Sequence, residues 1–166
     1  MTLAKGSGPP PMLEAKVLIV SDGVASGVRE DTSGRALREW LTSAGFSISD
    51  ARVTADGAEV VSEALRDMCR DFTGLVLTTG GTGFGPRDLT PEGTLAVLER
   101  EAPGIAEATR AISPKGRLSR AVAGTVGSAL VVNLPGSPGG AIECLEAILD
   151  IVPHALSLLA GEQTSH

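Results

Sequence analysis

The chain has 166 residues, with 20 acidic against 14 basic side chains, a net charge of −6 and only 2% aromatic residues. That length fits a single domain with a real, aliphatic core. The acidic balance argues against a nucleic-acid binder, and no run of about 18 apolar residues is present to span a membrane.

Residues 1–14, with their Gly and Pro content, read as a flexible leader rather than a signal peptide. Residues 15–160 read as one domain and residues 161–166 as a tail. "KVLIVSD" (16–22) is a short β-branched apolar run and predicts a buried strand. The loop "GVASGVRED" follows. Next, Ala36, Leu37, Trp40, Leu41 and Ala44 fall at helical spacing, with Gly45 as a stop signal. Residues 46–54 read as a second strand. From Asp56 onward, Val60, Val61, Ala64, Leu65, Met68 and Cys69 make one helical stripe.

"GLVLTT" (74–79) is a third buried strand. Thr90 and Pro91 predict an N-cap and first helical position for a helix reaching about Arg100. Pro103 breaks it, and a short helix follows from about Gly104 to Ile112. "SRAVAGTVGSALVVNL" reads as a hairpin turning at Gly127-Ser128. Ser137-Pro138 starts a long C-terminal helix, interrupted or kinked near Pro153. Strands alternating with helices imply an α/β fold of three layers: a mostly parallel sheet, helices on both faces and a hairpin near the C-terminal end.

Ligands of such sheets bind beyond the carboxyl ends of the strands. Ser21, Asp22 and Gly23 follow the first strand and Asp56 the second. Gly80, Gly81, Thr82, Gly83, Arg87 and Asp88 follow the third, and Pro135, Gly136 and Ser137 the last. Four ends carrying small or acidic residues suggest one site. The glycine run is either a tight turn or an anion cradle, in which backbone amides approach a phosphate closely. It lacks the Lys-Ser/Thr of a Walker loop and the third glycine of a dinucleotide fingerprint, which weighs against a nicotinamide or flavin enzyme.

Asp88 is either a surface carboxylate paired with Arg87 or a Mg²⁺ ligand, since hard cations take carboxylate oxygens and bridge to phosphates. Asp56 and Glu59 have capping-box spacing, and Asp56 equally suits a share in the same cation. Lys115, Arg117, Ser119 and Arg120 form either a solvated basic loop or a phosphate patch. Phe84 is either core or an exposed ring able to cover a flat ligand, while Trp40 reads as core. Cys69 and Cys144 read as free thiols in or near the core. Neither they nor His154 and His166 stand at zinc-ligand spacing.

The segments "VSDGVASGVREDTSG", the Asp56 turn, "LTTGGTGFGPRDLTPE", "LSR" and "NLPGSP" resemble, in this order, the molybdopterin adenylyltransferase family of molybdenum-cofactor biosynthesis. The resemblance spans about residues 16–160. Gly23 and Ala55 depart from the residues common there.

The resemblance implies a three-layer α/β homotrimer; the expected location, the cytoplasm, comes from the leader's lack of signal-peptide character and the lack of a spanning run. It implies Mg²⁺, with ATP as co-substrate, and molybdopterin as the acceptor that is adenylylated on its terminal phosphate with release of pyrophosphate. A molybdate-insertion protein would take the product. Asp56 and Asp88 fall on the family's functional aspartates, as catalytic residues and metal ligands. Ser21, Asp22, Thr79, Gly80, Gly81, Thr82, Gly83, Ser119, Pro135, Gly136 and Ser137 make up the binding set. The alternative is a non-catalytic molybdopterin-binding or carrier protein of the same pathway.

Overall fold

The computed structural model describes residues 12–162. Most of the leader and tail expected from the sequence, and His166 with them, therefore lie outside the described residues. The strands are β1 (Leu13–Val20), β2 (Phe46–Thr54), β3 (Gly74–Thr79), β4 (Arg100–Glu101), β5 (Ala123–Val126) and β6 (Ala129–Leu134). The helices are α1 (Asp22–Ala25), α2 (Thr32–Ser43), α3 (Ala58–Cys69), α4 (Thr90–Leu95), α5 (Pro103–Arg110), α6 (Pro138–Glu146) and α7 (Val152–Leu159). A 3₁₀ turn occupies Pro114–Leu118.

The sheet runs β2-β1-β3-β6-β5-β4. The first four strands are parallel, and β5 and β4 are added antiparallel. The expected α/β architecture is thus present, including the hairpin at Gly127-Ser128. Because side chains alternate across a strand, β1 feeds two cores. Ala15, Val17 and Ile19 pack with Leu37 and Leu41 of α2, Leu145 of α6 and Leu156 of α7. Leu18 and Val20 pack on the opposite face with Val61, Leu65 and Met68 of α3. Lys16 points to this second face. Its ammonium donates to the Met68 carbonyl at 2.9 Å and lies 4.1 Å from the Phe72 ring centre.

Several local expectations are corrected. The N-cap of α3 is Gly57, with no side-chain bond, so Asp56 and Glu59 form no capping box. The N-cap of α4 is Leu89; Thr90 is already helical, and its hydroxyl donates to the Gly80 carbonyl at 2.9 Å. That helix ends at Leu95 rather than near Arg100, because Arg100 and Glu101 pair with Thr125 and Gly124 as an edge strand. The loop after β1 contains the one-turn α1, capped by Ser21. The interruption expected near Pro153 in the C-terminal helix is present, at 147–151 between α6 and α7. Val60 leaves the α3 stripe for solvent. Trp40 sits at the core margin, where its indole N–H reaches Glu146 Oε1 at 3.2 Å.

Register places the candidate residues together. Ile19 pairs with Thr79, Val20 with Thr54, and Thr79 with Leu134, so β1, β2, β3 and β6 end on one edge.

Candidate active site

Two cavities open at that edge. One, of about 260 Å³, is lined by Ser21, Asp56, Thr79, Gly80, Gly81, Asp88 and Gly136, together with Arg29 and Ser33. The other, of about 400 Å³, is lined by Ser119, Pro135 and Ser137, with Lys115, Thr109, Ile112 and Cys144 among its further walls. The segment 135–137 is the partition: Gly136 faces the first cavity while its two neighbours face the second. The Thr79 hydroxyl fastens the partition by donating to the Pro135 carbonyl at 2.8 Å.

The glycines are fixed by close approach. Gly80 has φ +101° and Gly81 φ +70°, a region that L side chains resist. A Cβ on Gly80 would stand 2.2 Å from the Val20 carbonyl oxygen. One on Gly81 would stand 2.2 Å from Thr90 Oγ1 and 3.2 Å from Asp56 Oδ1. The Gly80 amide donates to the Leu134 carbonyl at 3.2 Å and is spent on the sheet. The Gly81 amide meets no acceptor among the described residues.

Asp22 and Asp56 clasp each other. The Asp22 amide donates to Asp56 Oδ2 and the Asp56 amide donates to Asp22 Oδ1. Arg87 closes the clasp: its Nε donates to Asp22 Oδ2 at 2.6 Å and its NH2 to Asp22 Oδ1 at 3.0 Å and to the Asp56 carbonyl at 2.9 Å. Arg87 therefore pairs with Asp22 across the site and not with its neighbour Asp88.

The Arg87 hydrogen bonds hold the Asp22 carboxyl below the ordinary aspartate range. Asp56 moves the other way. Partial burial pushes its carboxyl up, and the charges of Asp22 and Asp88 add to this, against the pull of the Asp22 amide and of Arg87.

Asp88 sits on a turn in which its Oδ2 accepts from the Gly85 amide at 2.9 Å and its own amide donates to the Gly85 carbonyl at 3.0 Å. The carboxylate lies over Gly83 and Gly85, where a Cβ would come within 3.0 and 2.7 Å of Oδ2. Oδ1 of Asp56 and Oδ1 of Asp88 accept no hydrogen bond from the described residues. No group of three or more His, Cys, Asp or Glu side chains suited to a metal occurs among the described residues. Two carboxylates with open oxygens nonetheless fit Mg²⁺, which takes one or two carboxylates and completes its shell with water and phosphate oxygens.

The other sequence candidates divide. Thr82 is buried, and Gly83 lies under Asp88; neither lines a cavity named above. Asp22 stands behind Asp56 rather than in the wall. Phe84 is exposed at 68%, settling its alternatives in favour of solvent. Cys69 and Cys144 are free and buried, and burial pushes both thiols up to about 11, which leaves them unreactive at neutral pH.

Sequence reading missed Arg29, in the loop between α1 and α2, Ser33, in the first turn of α2, and Asn133. The last carried a signal: it is a polar residue inside the apolar run "ALVVNL" of β6. It is 1% exposed; its Nδ2 donates to the hydroxyls of Thr78 and Thr94, both at 2.9 Å, and its Oδ1 accepts from the Val122 amide at 3.1 Å.

The family model for a probable molybdopterin binding domain matches residues 16–154. The chain belongs to this family. It is 38% identical over 152 residues to the molybdopterin adenylyltransferase of Helicobacter pylori J99, covering 87% of this chain and 86% of that one. It is also 38% identical over 169 residues to the molybdopterin adenylyltransferase of Escherichia coli K12, covering 90% and 86%. Among solved structures it resembles the molybdopterin biosynthesis enzyme MoaB of Thermus thermophilus, with a TM-score of 0.86 and 43% identity over 93% of this chain and all of that one. The matched region contains both aspartates and both cavities, so the family resemblance read from "TTGGTG" and "RDLTPE" holds across the domain. No helix of the described residues is long and apolar enough to cross a membrane.

Proposed function

We propose that the protein adenylylates molybdopterin. A terminal phosphate oxygen of molybdopterin attacks the α-phosphorus of ATP, the bond to the β-phosphate oxygen breaks, and pyrophosphate leaves. The observation that carries this reading is the pairing of Asp56 and Asp88 in one cavity, each with an open Oδ1, beside the open amide of Gly81. Adenylyl transfer asks a protein for alignment and charge neutralisation, not for a covalent nucleophile. The site has no such nucleophile to offer: its lining hydroxyls have no histidine among the lining residues, and its one thiol, Cys144, is largely buried and pushed up to about 11.

Asp56 and Asp88 would hold Mg²⁺, which supplies positive charge against the triphosphate. The Gly81 amide donates to a phosphate oxygen, in a place where any larger residue would collide with Thr90. Arg29 adds positive charge to the same wall. The larger cavity, with apolar Ile112 and Pro135 beside Lys115, Ser119 and Ser137, suits a flat heterocycle with a charged edge. The 135–137 partition then sets the distance between the two substrates.

Likeness to named adenylyltransferases supports this chemistry over simple carriage of the pterin. We further propose that the protein works in the cytoplasm as a homotrimer and passes its product to a molybdate-insertion protein. Purified protein mixed with molybdopterin and Mg-ATP should release pyrophosphate and give a pterin heavier by one adenylyl group. Tight molybdopterin binding with no pyrophosphate would favour the carrier reading instead.

A further inference from the structure

We propose that Arg120 is a positioning residue for this reaction, holding Asp88 at the first cavity from a root beside Ser119 in the wall of the second; the proposal rests on the adenylylation reading. Arg120 follows the 3₁₀ turn Pro114–Leu118 and precedes β5. Its amide donates to the Thr82 carbonyl at 2.9 Å and its Nε to the Gly83 carbonyl at 2.8 Å. NH2 donates to the Asp88 carbonyl, and NH1 to Glu92 Oε1. One residue thus binds both ends of the 82–88 loop and the first turn of α4.

These bonds change the meaning of a residue that the sequence offered as a phosphate ligand. A guanidinium has five donors in a rigid plane. Here they are directed at two loop carbonyls and a carboxylate, which leaves the group committed to the protein. The Asp88 carbonyl that Arg120 grips belongs to the residue whose carboxylate borders the first cavity. The turn at Gly85 is short, so a shift of that carbonyl shifts Oδ1 with it. The adjoining Ser119 lines the second cavity, and its hydroxyl accepts from the Ala121 amide at 3.2 Å. A substrate that orders the Ser119 wall therefore also steadies Asp88. Charge alone does not reproduce this grip: a lysine at 120 reaches one acceptor, not a carbonyl at each end of the loop.

The test is Arg120→Lys in the full chain, read two ways. Pyrophosphate release should show kcat lowered on the order of 10²-fold, the usual penalty for misplacing a reacting group by about 1 Å, with the KM for molybdopterin changed less than twofold. Amide hydrogen exchange should quicken across residues 82–88 and stay unchanged in β3 and β6. An unchanged kcat with unchanged exchange overturns the proposal. So does a raised KM at normal kcat, which would put the guanidinium on the substrate. If the lysine variant does not fold, Glu92→Ala replaces it; a smaller fall in kcat at constant KM is expected, and a wild-type kcat overturns the proposal. Wild type assayed alongside keeps the two readings apart: wild type that releases no pyrophosphate contradicts adenylylation, while active wild type beside an equally active variant contradicts only the role of Arg120.

Discussion

Asp22 and Asp56 exchange backbone-to-carboxylate hydrogen bonds, the Asp22 amide to Asp56 Oδ2 at 3.0 Å and the Asp56 amide to Asp22 Oδ1 at 3.1 Å. The two strand ends that carry them are tied edge to edge by this pair. The clasp leaves Oδ1 of Asp56 open, turned to Gly81 and the cavity. The two carboxyl groups shift in opposite directions, Asp22 down through the Arg87 hydrogen bonds and Asp56 up through partial burial.

The signs lead to a pH prediction. The Asp22 carboxyl is depressed by Arg87, so its contribution to stability is present above the unfolded value and is lost as pH falls through the folded one. The Asp56 carboxyl is raised, so the folded state binds more protons than the unfolded state and stability falls as pH rises through the window above about 3.9. Asp56→Asn should therefore raise the melting temperature at pH 7, and the gain should shrink as pH falls towards 4. Asp22→Asn should do the reverse. Melting curves across pH 3.5–7.5 check both, and parallel curves for wild type and Asp56→Asn would refute the assignment.

Arg87 links the two titrations. Arg87→Met should move both carboxyl titrations upward in a carbon-detected NMR titration, Asp22 the more. The pair is largely exposed and screened by solvent, so the change in stability should be small. An unmoved Asp22 would show that the clasp does not persist in solution.

Gly81→Val should weaken molybdopterin and ATP binding in protein that still folds. The new side chain needs φ +70° and displaces Thr90 Oγ1 beside Asp56. Backbone strain of this kind costs roughly 1–3 kcal/mol, which calorimetry would show as a lowered melting temperature. Unchanged ligand affinity would remove the glycine turn from the site.

Asn133→Leu should destabilise by about 1–3 kcal/mol, the penalty for orphaning buried polar groups, because the Val122 amide loses its acceptor. Urea unfolding measures it. Since Asn133 borders the second cavity and not the first, affinity for ATP should change little in the folded fraction.

The sequence made the sheet and the site edge legible because its signals are local. Val17–Val20 of β1 and Leu75–Leu77 of β3 are unbroken apolar runs, and glycines and acidic residues follow the parallel strands at the point where such a sheet gathers ligands. What it hid was partner choice. Arg87 is adjacent to Asp88 in sequence yet reaches Asp22, 65 positions away. Asp56 has capping-box spacing, but the turn at Gly57 leaves its side chain facing Asp22. Thr90 suits an N-cap, but its hydroxyl reaches back to Gly80. Arg120 carries the charge expected of a phosphate ligand and spends it on the loop. In each case a tertiary partner won over a local one, and spacing along the chain carries no record of which partner folding brings near.

On the proposed reading Asp88 serves transfer and not pterin binding, and the variant Asp88→Asn separates the two roles. Wild type and variant are compared for molybdopterin affinity, melting temperature, and pyrophosphate release with Mg-ATP. The Asn variant should bind molybdopterin as wild type does and melt within a few degrees of it, since the α4 N-cap is Leu89. Its turnover should fall on the order of 10²-fold or more, the scale expected for lost electrostatic positioning. Wild-type turnover in Asp88→Asn, with its fold intact, would contradict the account.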